Sequence, residues 1–172
     1  MIQRSKSERV AIFADVQNLY YGSQQEYNSR LDFRKFLDWA VAERSMIRAV
    51  AYIVEDGEHD QEAFKAMLWD AGFEIRSKPL IKRRDGSKKG NWDIAIAVDA
   101  MAIGPRVDTV IIASGDGDFS DLADHLINTG VRVEASGFKS STGHQIIDAS
   151  TEYRAIPEDL CPIPVKRNST RK

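Results

Sequence analysis

The chain has 172 residues, 42% of them hydrophobic and 29% charged, which fits one globular domain and excludes wholesale disorder, collagen-like repeats and coiled-coil arrays. A net charge of −2 argues against a protein that coats nucleic acid over its whole surface, while leaving room for a local basic patch. Cys161 is the single cysteine, and His59, His125 and His144 lack HxxxH or HExxH spacing, so an intrachain disulfide, a CxxC knuckle and a zinc site are all disfavoured.

In chain order, the first apolar run is residues 10–14, cut at Asp15. It is too short for a signal peptide or a membrane span, so it is expected to be a strand of a cytoplasmic protein. Phe33, Phe36, Leu37 and Ala40 recur at helical spacing. A second strand is expected at residues 47–54. A helix follows on Phe64, Met67, Leu68 and Ala71, ended by Gly72, and a third strand covers 73–76. Residues 78–90 (KPLIKRRDGSKKG) carry six basic residues against Asp85 and read as a polar loop. Ile94, Ala97, Val98 and Met101 predict a third helix, 109–113 a fourth strand, Leu122, His125, Leu126 and Thr129 a weaker helix ended by Gly130, and 131–135 a fifth strand. Near-continuous hydrophobicity suits strands buried on both faces of a parallel sheet. The alternation therefore predicts a three-layer α/β/α sandwich on a mainly parallel sheet of five strands, with room for a sixth. Residues 1–156 form the expected domain; 157–172, with three prolines and then Lys166, Arg167, Arg171 and Lys172, form a basic tail.

Ligands of open α/β sheets bind beyond the carboxyl ends of the strands, and here those ends carry acids. The first strand finishes in Asp15 (FADVQN), the fourth in SGDGDF with Asp116 and Asp118, and Asp93 opens the third helix. Singly, each has a plain structural explanation: Asp118 as a helix cap, Asp93 as a first-turn acid behind Asn91. Together they are harder to explain that way, because carboxylates crowded into one cleft repel unless a cation or protons compensate. An oxygen-only cluster selects Mg²⁺ or Mn²⁺. Gly115 and Gly117 can expose backbone N–H groups to a phosphate, yet the chain has neither a GxxxxGK[ST] nor a GxGxxG motif, and DVQN does not match the DxDx[TV] of haloacid-dehalogenase phosphatases.

FADVQNLYYG, KKGNWDIAIAVDAM and VIIASGDGDFSDLADHL, in that order, resemble NYN-domain proteins of the LabA-like group, relatives of PIN and flap-type nucleases. The resemblance runs from about residue 10 to 156 and implies a PIN-like, Rossmann-like fold. It also implies metal-binding and catalytic acids at Asp15, Asp93, Asp116 and Asp118, with polar helpers at Asn18, Ser114 and Lys89. Asp99 lies in the same helix motif, but six positions place it about 240° around the helix from Asp93, away from a shared site. The terminal segment reads ASTEY, with Thr151 where the family pattern has an acid.

The expected function is metal-dependent hydrolysis of RNA phosphodiester bonds, with Asn18 and Ser114 orienting a water or phosphate oxygen and Arg84, Lys88 and Lys89 contacting the backbone by charge. The alternative is an RNA-binding or regulatory module of little or no turnover, acting through protein partners or as a homo-oligomer. A phosphatase of small phosphates comes third. Tyr20 and Tyr21 are candidates to meet a base, Trp92 less so; Trp39 and Trp69 read as core or partly buried helix residues.

Overall fold

The computed structural model describes residues 4–57, 61–82, 88–89 and 91–165, the side chains of 82, 88 and 89 excepted. In chain order the elements are β1 (Arg9–Asp15), α1 (Val16–Tyr27), β2 (Ser29–Arg30), α2 (Phe33–Val41), β3 (Ser45–Glu55), α3 (Glu62–Ala71), β4 (Glu74–Pro79), β5 (Ile81–Lys82) and β6 (Lys88–Lys89). After these come α4 (Asp93–Ile103), β7 (Thr109–Ala113), α5 (Ser120–Asn128), β8 (Arg132–Gly137), α6 (His144–Ala149), β9 (Glu152–Ala155) and β10 (Ile163–Pro164). The main sheet has six strands in the order β4-β3-β1-β7-β8-β9, and every neighbouring pair is parallel.

This order fixes where a ligand can bind. From the central β1 the chain builds outward through β3 and β4, then returns to β1's other side with β7, β8 and β9. Strand order therefore reverses between β1 and β7, and the loops beyond these two strands splay apart to leave a crevice. Alternation along β1 serves two cores: Val10, Ile12 and Ala14 pack with α1, α2 and α3 residues, while Ala11 and Phe13 pack with those of α4, α5 and α6. Burying β1 completely on both faces is what holds Asp15 at a fixed position on its end.

Helix ends follow local chemistry. Asp32 caps α2 by accepting from the Arg34 and Lys35 amides at 3.1 Å, and Gly72 and Gly130 turn the chain at φ of 111° and 89°, which side chains disfavour. The stripes expected on α2 and α3 are the ones that pack. The stripe expected on α4 is not. Its buried residues are Ile96 and Ala100, whereas Ile94 is 82% exposed and Val98 and Met101 also face solvent. DIAIAVDAMAI is apolar nearly all round, so its periodicity could not choose a face. On α5, Ala123 is buried in place of His125 and Thr129. Trp69 is also exposed, at 67%, and not a core residue.

The expected polar loop at 78–90 begins with the last two residues of β4 and then forms the antiparallel pair β5–β6, with Ile81 opposite Lys89. Beyond Pro157 the chain stays attached as far as Val165: Leu160 and Cys161 enter the core, and β10 pairs with β2. Thr151 has a structural role, its hydroxyl accepting from the Val133 amide at 3.1 Å where β9 joins β8. Among the described residues no helix is long and apolar enough to cross a membrane.

Candidate acidic site at the sheet's carboxyl edge

Asp15 ends β1 and caps α1, accepting from the Asn18 amide at 3.2 Å. Asn18, one turn along, accepts with its side-chain oxygen from the Gly115 amide at 2.8 Å. That bond ties α1 to the loop following β7, across the reversal point. Within the loop, the Ser114 hydroxyl accepts from the Asp116 amide at 3.2 Å and lies near enough to Asp15 to favour its charged form. Asp116 accepts from the Asp118 amide at 2.9 Å. Gly115 is required here: a Cβ would meet the Ser141 carbonyl oxygen at 2.6 Å.

A cavity of about 340 Å³ opens at this point, lined by Asp15, Asn18, Asp93 and Asp116, and also by Gln17, Tyr21, Gln25 and Ser141. The acids feel one another. Burial first, then the charges of Asp93 and Asp116, push the Asp15 carboxyl up to about 6 against the hydrogen bonds from Asn18 and Ser114. Asp93 is raised as well, by burial and by Asp116 and Asp118, with Lys78 the opposing charge. Asp118 does not line this cavity. It lies with Asp93 on an adjoining apolar groove between α4 and α5, floored by Met101, Phe119 and Leu122. Asp93 thus borders both depressions, and the four expected acids run along one rim with Asp93 shared between its two halves.

Among the described residues no three His, Cys, Asp or Glu side chains are gathered tightly enough to enclose a metal ion. The donor chemistry nonetheless fits a hard cation: all-oxygen, part-buried and electrostatically under-compensated. Asp99 is committed elsewhere, accepting from the Tyr52 hydroxyl and paired with Arg76. Arg84 lies outside the described residues, as do the side chains of Lys88 and Lys89, whose backbones form β6.

Trp92 is held rather than free. Its indole N–H donates to the Ile53 carbonyl at 2.9 Å, and its ring is covered by the Lys78 ammonium at 4.2 Å and the Arg76 guanidinium at 5.5 Å. Lys78 also donates to the Asn91 carbonyl, and the Asn91 amide donates to Asp93 at 2.6 Å. Sequence reasoning missed this chain of contacts, and also Gln17, Gln25 and Ser141. The three α1 positions 17, 21 and 25 do recur every fourth residue, a signal available only once α1 is recognised as a helix.

The NYN domain family profile matches residues 9–157. The chain is 30% identical over 122 residues to the low amplitude and bright protein LabA of Synechococcus elongatus, an alignment covering 66% of this chain and 65% of that protein. The chain thus spans just under two thirds of its curated relative. A crystal structure of a protein of unknown function from Vibrio parahaemolyticus superposes with a TM-score of 0.83 at 38% identity, covering 93% of this chain and 99% of that one.

Proposed function

The chain belongs to the NYN domain family of PIN-like nuclease modules, and from that premise we propose that it is a cytoplasmic, Mg²⁺- or Mn²⁺-dependent ribonuclease. The observation that carries this reading is that Asp15, Asp93 and Asp116 line one cavity where strand order reverses, with burial and neighbouring acids raising the Asp15 and Asp93 carboxyls. Leaving buried carboxylates without a full counter-charge costs stability, and sites that do so are enriched in function.

In this reading Asp15, Asp93, Asp116 and Asp118 would hold the ion, the carboxylates drawing together as it binds. The bound ion would supply an activated hydroxide and neutralise the developing charge on phosphorus and the leaving oxygen. The chain's own residues prepare for this. The Ser114 hydroxyl takes the Asp116 amide and favours the charged form of Asp15, so one side chain bears on two acids. Asn18 spends its side-chain oxygen on Gly115, which leaves its amide N–H groups to orient a phosphate oxygen. Lys78, together with the basic residues up to Lys89, would draw in the polynucleotide backbone without reading its sequence.

A second reading, an RNA-binding module with little turnover, is favoured by one observation: among the described residues the carboxylates are not already gathered tightly enough to enclose an ion. Incubating single-stranded and structured RNA with Mn²⁺ or Mg²⁺ separates the two. Cleavage by the wild type and loss of it in Asp116→Asn supports the nuclease. Tight RNA binding with no cleavage at any metal concentration leaves the module.

A further inference from the structure

The cavity that the acids line also has residues of another kind on α1. Gln17, Tyr21 and Gln25 are spaced by four residues, so they line one face of α1 over about 12 Å, and all three border the cavity. None is charged, so this wall has no electrostatic claim on a phosphate. It offers a π-face flanked by two carboxamides, each both donor and acceptor.

Resting on the reading that a polynucleotide enters the acidic cleft, we propose that this α1 face is a nucleobase subsite, in which Tyr21 stacks one unpaired base and Gln17 and Gln25 hydrogen-bond to its edge.

Three further features support the assignment. Tyr21 is 59% exposed, yet its ring is not loose: Tyr20 packs edge-on against it at 5.6 Å and 74°. Trp92, the other aromatic on the cavity, already has its ring covered by cations, so Tyr21 is the aromatic available for stacking. The wall is also braced from behind. A Cβ on Gly22 would fall 2.6 Å from a Phe138 ring carbon, the Gln25 amide donates to the Ser140 carbonyl at 3.2 Å, and Glu26 accepts from the Ser140 amide at 2.8 Å. Ser141, on the same side, keeps a buried hydroxyl without a hydrogen-bond partner among the described residues. A braced aromatic with adaptable amides beside it reads splayed bases, whose faces and edges a duplex hides.

The test is fluorescence anisotropy in EDTA with three fluorescein-labelled probes: single-stranded RNA, a ribose-phosphate strand of equal length lacking bases, and a blunt RNA duplex. Tyr21→Ala should weaken the single strand about tenfold, the scale of one missing base stack. It should leave the abasic strand unchanged, and Tyr21→Phe should restore binding. Gln17→Ala and Gln25→Ala should alter the ratio of oligo-A to oligo-U affinity. The subsite is overturned if Tyr21→Ala binds the single strand as wild type does, if the abasic strand loses the same factor, or if no probe binds. A parallel Mn²⁺ cleavage assay keeps the two readings apart. Tyr21-dependent binding without cleavage removes the nuclease and leaves the subsite; cleavage whose KM ignores Tyr21→Ala does the reverse.

Discussion

Two regions of this molecule bury carboxylates, and they are built on opposite principles. At the amino ends of the strands, Glu134 is fully buried, but Arg44 grips it through two bonds of 2.8 and 2.9 Å. Arg132 and Arg154 stand at 3.4 and 3.6 Å. Burial alone would raise Glu134; the Arg44 hydrogen bonds and charge outweigh it, and the carboxyl is held below its ordinary range. At the carboxyl ends, Asp15 has a hydroxyl and an amide for company and two further acids beside it, and it is raised to about 6. One cluster is closed and holds the sheet together. The other leaves its acids only partly compensated, as the proposed cation site requires.

Arg44→Leu tests the closed cluster and should have the largest effect. Stranding a buried charge costs about 3–5 kcal/mol, and the low end is expected because Arg132 and Arg154 remain. Urea unfolding at neutral pH measures it; a loss below about 1 kcal/mol would erase the contrast between the regions. Because the folded pKa of Glu134 is depressed, the wild type should also lose this contribution as pH falls through that pKa.

Asp15→Asn should act in the opposite direction. A folded pKa raised from 3.8 to about 6 means a contribution that is fully present below about pH 4 and lost as pH rises through 6. The metal-free wild type should therefore weaken across that window by up to about 3 kcal/mol. Asn, nearly as good a helix cap as Asp, should flatten the profile and melt higher than wild type at pH 7 in EDTA. Added Mn²⁺ should raise the wild-type melting temperature and leave the variant's nearly unchanged. A variant that melts lower at pH 7 would make Asp15 a structural acid of the same kind as Glu134.

Ser114→Ala should reduce Mn²⁺-dependent cleavage by roughly 10–100-fold, the usual cost of losing a group that orients a ligand, with RNA affinity in EDTA preserved. Equal loss in both would mean that the hydroxyl holds the loop and nothing more. The smallest effect belongs to the basic segment. Lys82, Arg83 and Arg84 changed together to Ala should flatten the salt dependence of RNA binding, by about 0.7 in log–log slope for each phosphate no longer neutralised. The saturated cleavage rate should change little. An unaltered slope would mean that this segment contacts no phosphate, and that the nucleic acid enters elsewhere or is not the substrate.

How legible all this is depends on how each feature is encoded. Four of the helices, α5 most weakly, and five strands, the inner β3, β1, β7 and β8 and the edge strand β4, carry apolar patterns that announce them in the sequence. Helix α1 carries no such pattern, because its buried residues are Val16, Leu19, Gly22 and Ser23, too small and polar to form a stripe. Short elements depend on what receives them: β9 pairs with β8, and α6 packs against α5. On α4 the pattern is present but has no polar side to fix its phase.

By itself the sequence determined the layered α/β class, the acids that terminate β1 and follow β7, and the family. Each of these depends on residue type at short range: buried runs, caps, and glycines where the backbone must bend. Tertiary structure alone decided that strand order reverses between β1 and β7, bringing residues far apart in the chain, such as Asn18 and Gly115, to one crevice. It also decided that Asp93 borders two depressions while Asp99 turns to Tyr52 and Arg76, and that Gln17, Tyr21 and Gln25 of α1 line the same cavity as the acids. Those outcomes follow from long-range strand pairing and from which helix face finds a packing partner, and no local stretch of chain contains that information.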